Sequence, residues 1–119
     1  MITATWRGNA VSDNRRLIQR GGRWIANPAY KAFKEEMAWG LKGASYSWHK
    51  DSSVVRVSVI LRVFLPPRMD VSAIVKAALD AVQLSGIVKD DNQVDRLEVI
   101  RCGTSKKGES SIAFEIDTI

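Results

Sequence analysis

Hydrophobic and polar residues alternate most regularly between Val54 and Leu65, where every second residue from Val55 onward is Val or Leu. Successive side chains of a strand point to opposite faces of the sheet, so this pattern predicts a strand with one buried face. Pro66 and Pro67 follow at once, and proline removes a backbone donor that a strand needs. The sequence therefore predicts a strand that ends abruptly at Leu65.

Two helices are predicted from apolar residues spaced three and four positions apart. The first begins at Asn27-Pro28, a favourable N-cap and first-turn pair, and is expected to end near Gly43. The second begins after Asp70 and is expected to end at Ser85-Gly86. The apolar faces comprise Tyr30, Phe33, Met37 and Leu41 in the first helix and Val71, Ile74, Val75, Ala78, Leu79 and Val82 in the second.

The rest of the chain adds a short first strand near residues 2–6 and two further strands near residues 94–102 and 111–116. Residues 8–26 show no sustained period and are expected to form a long loop, which in a small domain is usually functional or mobile. Residues 1–119 are thus predicted to form one α+β domain with two main helices on one face of a small mixed sheet.

Composition narrows the class of protein. Hydrophobic residues make up 45% of the chain and charged residues 26%, which is typical of a globular protein. No apolar run is long enough to cross a bilayer, and the first residues show no secretory signal, so we expect a cytoplasmic protein without a membrane partner. The single cysteine, Cys102, is expected to be a buried thiol at a strand end.

Positive charge is concentrated near the start of the chain. Lys and Arg number 18 against 13 Asp and Glu, a net charge of +5. An arginine cluster favours binding of a polyanion through ion pairing and counterion release. Solvated arginines in a loop would give the same composition, so charge alone leaves both interpretations open. The cluster comprises Arg7, Arg15, Arg16, Arg20 and Arg23, with Asp13 as the one acid among them.

Three acids flank the second predicted helix. Asp70 precedes it, and Asp90 and Asp91 follow it. Because the chain returns to the sheet after one helix, we expect the three carboxylates to meet at the same edge of the sheet and form a Mg²⁺ site. The alternatives are a helix cap at Asp70 and a simple turn at the acidic pair.

Two other residues, Lys76 and Trp24, are candidates for contact with a nucleic acid. Lys76 is placed to pair with Asp80 four residues on, or to stabilise charge that develops on a phosphate. Trp24 lies within the arginine cluster and is the tryptophan suited to stacking on a base. The other three tryptophans are core candidates.

The stretch RMDVSAIVKAALDAV at residues 68–82, followed by GIVKDDNQV at residues 86–94, resembles the signature of RusA-type Holliday junction resolvases. That family has an Asp-x-Asp-Asn motif followed by a Lys, and then an Asp-Asp-x-Gln-Val motif. SDNR at residues 12–15 is similar to the family's Ser-x-Asn region. The resemblance implies a homodimeric endonuclease that nicks four-way DNA junctions, depends on Mg²⁺ with Mn²⁺ able to substitute, and uses no organic cofactor.

The resemblance also implies roles for particular residues. Asp70, Asp91 and Asp90 match metal-binding and catalytic acids, and Lys76 matches a catalytic lysine. Where the family has its second Asp followed by Asn, this chain has Ser72-Ala73. Ser72 and Asp80 are therefore further candidate metal ligands. The predicted DNA contacts are Asn14, Arg15, Arg16, Arg20, Arg23, Arg68 and Lys76.

Three functions follow from these residues. The main one is a junction-resolving nuclease with a weakened or altered metal site. The second is a junction-binding protein that has lost cleavage, for which Ser72 and Ala73 argue. The third is a nucleic-acid-binding module without junction preference, for which the arginine cluster alone would suffice.

Overall fold

The strand predicted up to Leu65 lies in the centre of the molecule. The computed structural model describes residues 1–119. Its helices are α1 (Pro28–Ala44) and α2 (Val75–Leu84), and its strands are β1 (Ile2–Gly8), β2 (Leu17–Arg20), β3 (Arg23–Ala26), β4 (Val57–Leu65), β5 (Val94–Thr104) and β6 (Ser110–Thr118). Short 3-10 turns cover Asp13–Arg15, Val71–Ile74 and Asp91–Gln93.

The main sheet has four strands in the order β1-β6-β4-β5. β6 pairs antiparallel with both β1 and β4, whereas β5 pairs parallel with β4, from Val57 opposite Val94 to Leu65 opposite Thr104. A parallel pair needs a crossover connection, and α2 supplies it. The predicted α+β domain with a mixed sheet and two helices is confirmed.

One face of the sheet carries the core. Every second residue of β4 from Val57 to Leu65 is fully buried, and the residues between them are half-buried or exposed. α1 adds Phe33 and Met37 to the same core, and Phe33 lies against Trp6 of β1 with ring centroids 4.7 Å apart. Both helices thus cover one face, as the alternation predicted. No helix has the length and apolar character needed to cross a membrane.

The expectation that residues 8–26 form a long loop is wrong. The segment contains the Asp13–Arg15 turn and a two-stranded hairpin of β2 and β3. Gly21 and Gly22 connect the strands, and both have positive φ (57° and 76°), as a tight two-residue hairpin turn requires. Each strand has only four residues, too short for a recognisable alternation.

Four smaller expectations are corrected. Cys102 is exposed, because burial alternates along the end of β5 and Cys102 falls on the outward side with Ile100 and Thr104. Trp39 is exposed on α1, and Trp48 is half-buried, so only Trp6 of the three expected core tryptophans is fully in the core. The second helix begins as a 3-10 turn and becomes α-helical only at Val75.

Candidate nucleic-acid interface

The Asp70 segment is fixed through its backbone and leaves its carboxylate free. On β5, the Arg101 guanidinium donates to the carbonyl oxygen of Leu65 at 3.1 Å and also to that of Met69. Arg101 therefore ties both ends of the two-proline segment to the sheet. The Asp70 side chain is exposed and makes no capping hydrogen bond to the turn that follows it. Its carboxylate is thus available to an external ligand.

Asp70 lies in a cleft of about 820 Å³, which we call the Asp70 cleft. Asn14, Arg15, Arg68 and Lys107 also line it, so it joins a predicted acid to three predicted DNA contacts. None of the three cations forms an ion pair within the chain. Sequence reasoning missed Lys107, although the pair Lys106-Lys107 in a turn between two strands was the available signal. The unpaired cations make the cleft suitable for binding an anionic polymer backbone.

Asp13, and not Asp70, caps α2. One carboxylate oxygen of Asp13 accepts from the backbone N–H of Lys76 at 3.0 Å, and the other accepts from that of Ala77 at 3.1 Å and from the Tyr30 hydroxyl at 2.8 Å. A negative charge at this end of a helix is favourable. Burial and then the Asp13 hydrogen bond raise the pKa of Tyr30 well above its ordinary value, so Tyr30 remains a donor. Asp13 therefore fastens the arginine hairpin to both helices.

The acidic pair lies in a well-supported turn. Asp90 accepts from the backbone N–H of Asn92 at 3.0 Å, and this bond, followed by an interaction with Asp91, holds the pKa of Asp90 below its usual value. Gln93 is buried and makes four hydrogen bonds: it accepts from the N–H groups of residues 89 and 90 and donates to the carbonyl oxygens of residues 52 and 55. The turn predicted as the alternative is thus present, while both carboxylates remain exposed.

The structure does not bring Asp70 and the acidic pair together within one chain. Asp70 follows the C-terminal end of β4, and Asp91 precedes the N-terminal end of β5. Since these strands are parallel, the two acids lie at opposite ends of the sheet. The nine residues of β4 alone span about 26 Å. The expected meeting point at one edge is wrong for the single chain, because a crossover helix carries the chain back to the end where β4 began.

A metal site within one chain is therefore not formed by these residues. No three Asp, Glu, His or Cys side chains lie close enough together to hold a metal ion. Asp80 lies 3.4 Å from Lys34 and 3.9 Å from Lys76, so the ion pair weighed as the alternative for Lys76 is present. Ser72 is exposed in the turn that follows Asp70.

The remaining predicted DNA contacts lie on the hairpin. Arg20 and Arg23 face each other across the strands beside the glycine turn, and Arg16 precedes β2. All three are exposed and form no ion pair in the chain. Together with Arg15 and Arg68 of the Asp70 cleft, they make five arginines that have no counter-ion in the chain.

An α+β domain with an exposed acid in a cleft of unpaired basic residues has the features of a protein that acts on nucleic acid. The chain matches the family model of endodeoxyribonuclease RusA over residues 8–115, and it belongs to that family. The motif resemblance is therefore confirmed. The family is one of endodeoxyribonucleases that resolve Holliday junctions, act on branched DNA and generally depend on a divalent metal. No curated protein matches the chain significantly.

Replacing Asp13 tests its role as the cap of α2. We expect Asp13→Ala to lower the free energy of unfolding by about 2–3 kcal/mol, because it leaves two helix N–H groups and a buried phenol without their charged acceptor. Asp70→Ala is the matched control and should change stability by no more than about 0.5 kcal/mol. Urea denaturation of both variants provides the measurement. Equal effects would contradict the assignment of the cap to Asp13.

Replacing Gln93 tests the support of the acidic turn. Gln93→Leu keeps a buried side chain of similar size but leaves the Asp90 N–H and the Val55 carbonyl oxygen without partners, so we expect a loss of about 2–4 kcal/mol in stability. The Lys89 N–H and the Ser52 carbonyl oxygen keep the hydrogen bond that joins them. Amide hydrogen exchange at residue 90 should also accelerate. Asn92→Ala, whose side chain makes no hydrogen bond, serves as the control. Unchanged exchange in Gln93→Leu would show that the turn is held by other contacts.

Proposed function

We propose that the protein is a homodimeric, Mg²⁺-dependent endonuclease that nicks opposing strands of a four-way DNA junction. The observation that carries this proposal is the Asp70 cleft, where an open carboxylate stands among Arg15, Arg68 and Lys107, none of which has a counter-ion within the chain. Membership of the RusA family supports the reaction class. The homodimer, the particular metal ion and the roles of the site residues are part of the proposal.

The topology supports a site shared between two subunits. β5 is an edge strand with one side unpaired, and such an edge readily pairs with a second strand. A two-fold axis beside β5 would make its pairing with the partner antiparallel. The N-terminal end of the partner's β5 would then lie beside the C-terminal end of the first subunit's β5. That end of the sheet is where Asp70 stands.

Each proposed site therefore combines Asp70 of one subunit with Asp90 and Asp91 of the partner subunit. Carboxylate oxygens are the ligands that Mg²⁺ prefers, so these three carboxylates fit the ion. Asp70 alone, or the acidic pair alone, offers too few carboxylates. When bound, the ion supplies Lewis-acid stabilisation of the charge on the phosphate. Mn²⁺ is expected to substitute, since it accepts the same oxygen ligands.

The chain's own basic residues orient the DNA. Arg15, Arg68 and Lys107 hold the phosphate backbone in the cleft, and Arg16, Arg20 and Arg23 extend the contact along the hairpin. Lys76 lies in the first turn of α2 with its side chain 54% exposed. Its ammonium is free to move from Asp80 towards a phosphate and to stabilise charge that develops there.

Mixed dimers test the shared site. Asp70→Asn and Asp91→Asn are each expected to abolish nicking of a labelled junction in Mg²⁺. Dimers formed from equal amounts of the two variants should recover about a quarter of the wild-type sites, because each mixed dimer has one site with both native acids. The recovered product should consist of single nicks, not paired ones.

A reciprocal mixture is the control for this experiment. Wild-type subunits mixed with the Asp70→Asn/Asp91→Asn double variant place one changed acid in every site of the mixed dimer if the site is shared. Those mixed dimers should be inactive. The equal mixture should then retain only the quarter of wild-type sites that its wild-type homodimers contribute. Retention of about half of the wild-type sites, together with no activity in the first mixture, would show that each subunit uses its own acids and would overturn the shared site.

Ser72 and Ala73 favour a second candidate function, a junction-binding protein without cleavage. A serine adds no negative charge, so the site attracts a cation less strongly than an aspartate pair would. We expect Ser72→Asp to raise the single-turnover nicking rate by about ten-fold or more in Mg²⁺. Junction binding measured in chelator should stay unchanged. A fall in rate would mean that another acid already occupies this place.

Binding without any nicking in Mg²⁺ or Mn²⁺ would favour the second candidate. Equal affinity for a four-way junction and for a duplex of matching sequence would favour a general nucleic-acid-binding module instead. Both measurements use the same labelled strands and the same protein, so the three functions are separated in one series.

A further inference from the structure

We propose that one face of the β2–β3 hairpin binds a single unstacked DNA base, with Trp24 as the stacking platform. The proposal rests on branched DNA as the substrate and adds a base-binding pocket to the phosphate-binding cleft. The pocket has a volume of about 350 Å³ and is lined by Asp13, Asn14, Arg16, Leu17 and Trp24. We call it the Trp24 pocket.

Hairpin geometry places its apolar residues on the same face. Leu17 pairs with Ala26 and Gln19 pairs with Trp24, and these two pairs are separated by one intervening pair. Side chains two positions apart on a strand share a face, so Leu17 and Trp24 stand side by side above the pocket. Trp24 is 67% exposed, and Leu17 is 48% exposed.

Trp24 has no partner within the chain. Trp6, by comparison, packs on Phe33 and donates its indole N–H to Glu36. Trp24 takes part in no aromatic pair, cation–π contact or side-chain hydrogen bond. An indole exposed to this extent on a projecting hairpin presents an open π-face, which is the surface on which nucleobases stack.

Charge identifies a nucleic acid as the occupant, and not an apolar peptide. Arg16 lines the pocket, and Arg15, Arg20 and Arg23 stand on the same short segment without counter-ions in the chain. A nucleic acid carries one aromatic base and one phosphate per nucleotide. It therefore complements both the open Trp24 ring and the arginines without counter-ions.

The polar wall of the pocket suits the edge of a base. The Asn14 carboxamide forms no hydrogen bond within the chain, and it offers both a donor and an acceptor. The Asp13 carboxylate is already occupied by its three hydrogen bonds and is not free to bind a ligand. Asn14 also lines the Asp70 cleft, so the two sites are adjacent.

Adjacency explains why an unstacked base is the expected ligand. Bases inside a duplex keep both faces covered by their neighbours, whereas a base at a branch point is removed from its stack at low cost. A backbone held in the Asp70 cleft would present such a base to Trp24. The Trp24 pocket would thereby favour branched DNA over duplex.

The test uses a four-way junction with 2-aminopurine at the branch point, in chelator so that no strand is cut. Wild-type protein should change the 2-aminopurine fluorescence on binding. Trp24→Ala should abolish that change and weaken junction binding by roughly ten-fold, with duplex binding affected much less. Trp24→Phe, which keeps a smaller aromatic face, should restore most of both.

Trp39→Ala is the matched control, because Trp39 is 72% exposed but lies on α1 outside both sites. It should leave both readouts unchanged. Trp24→Ala with native junction affinity and a native fluorescence change would overturn the Trp24 pocket. That result leaves the proposed nuclease intact, since nicking and its loss in Asp70→Asn are measured separately. A wild-type protein that does not bind the junction would overturn both proposals.

Discussion

The parallel pairing of β4 with β5 is the constraint on which the rest of the molecule depends. It requires a crossover, and α2 with its preceding turn is that crossover. The crossover buries the apolar stripe of α2 on the sheet, and it also separates the two acidic segments by the length of a strand. The same pairing therefore builds the core and prevents one chain from assembling its own metal site. It leaves β5 as an unpaired edge, and this is the edge at which the proposed homodimer would bring the partner's acids to Asp70.

Around this frame, hydrogen bonds from a few polar side chains hold the exposed functional segments. Arg101 fixes the connection before Asp70, Gln93 fixes the turn that carries Asp91, and Asp13 joins the hairpin to α2. Arg56 adds a second support to the acidic turn through Asp95 and the carbonyl oxygen of Asn92. In each case the supporting side chain is engaged in hydrogen bonds, while the functional side chains of the segment stay exposed. Rigid backbone with open side chains is what a preorganised site requires.

The sequence predicted correctly the helices and the strand whose hydrophobic pattern lies within a single stretch of the chain. The alternation in β4 and the apolar stripes of both helices are set by neighbouring residues, and the structure has them with the expected faces. The hairpin was missed because strands of four residues do not show a period. The role of Asp13 was missed because its partners are 63 and 64 residues away, and no local pattern reports such a contact. The separation of Asp70 from Asp91 depended on strand direction, which a strand–helix–strand pattern indicates only when the two strands are recognised as sheet neighbours.

The serine at position 72 is easier to understand once the site is regarded as shared. In a site formed by one chain, replacing the second Asp of the Asp-x-Asp motif would remove one of only a few metal ligands. In the proposed shared site, the partner contributes two adjacent carboxylates, and Asp70 then completes a set of three. Mg²⁺ keeps several waters and needs few protein carboxylates, so three are sufficient for one ion. A second ion would be harder to retain in the proposed site, because Ser72 adds no negative charge. The cation affinity of the site would then depend on how firmly the two subunits associate, because each half of the ligand set is incomplete alone.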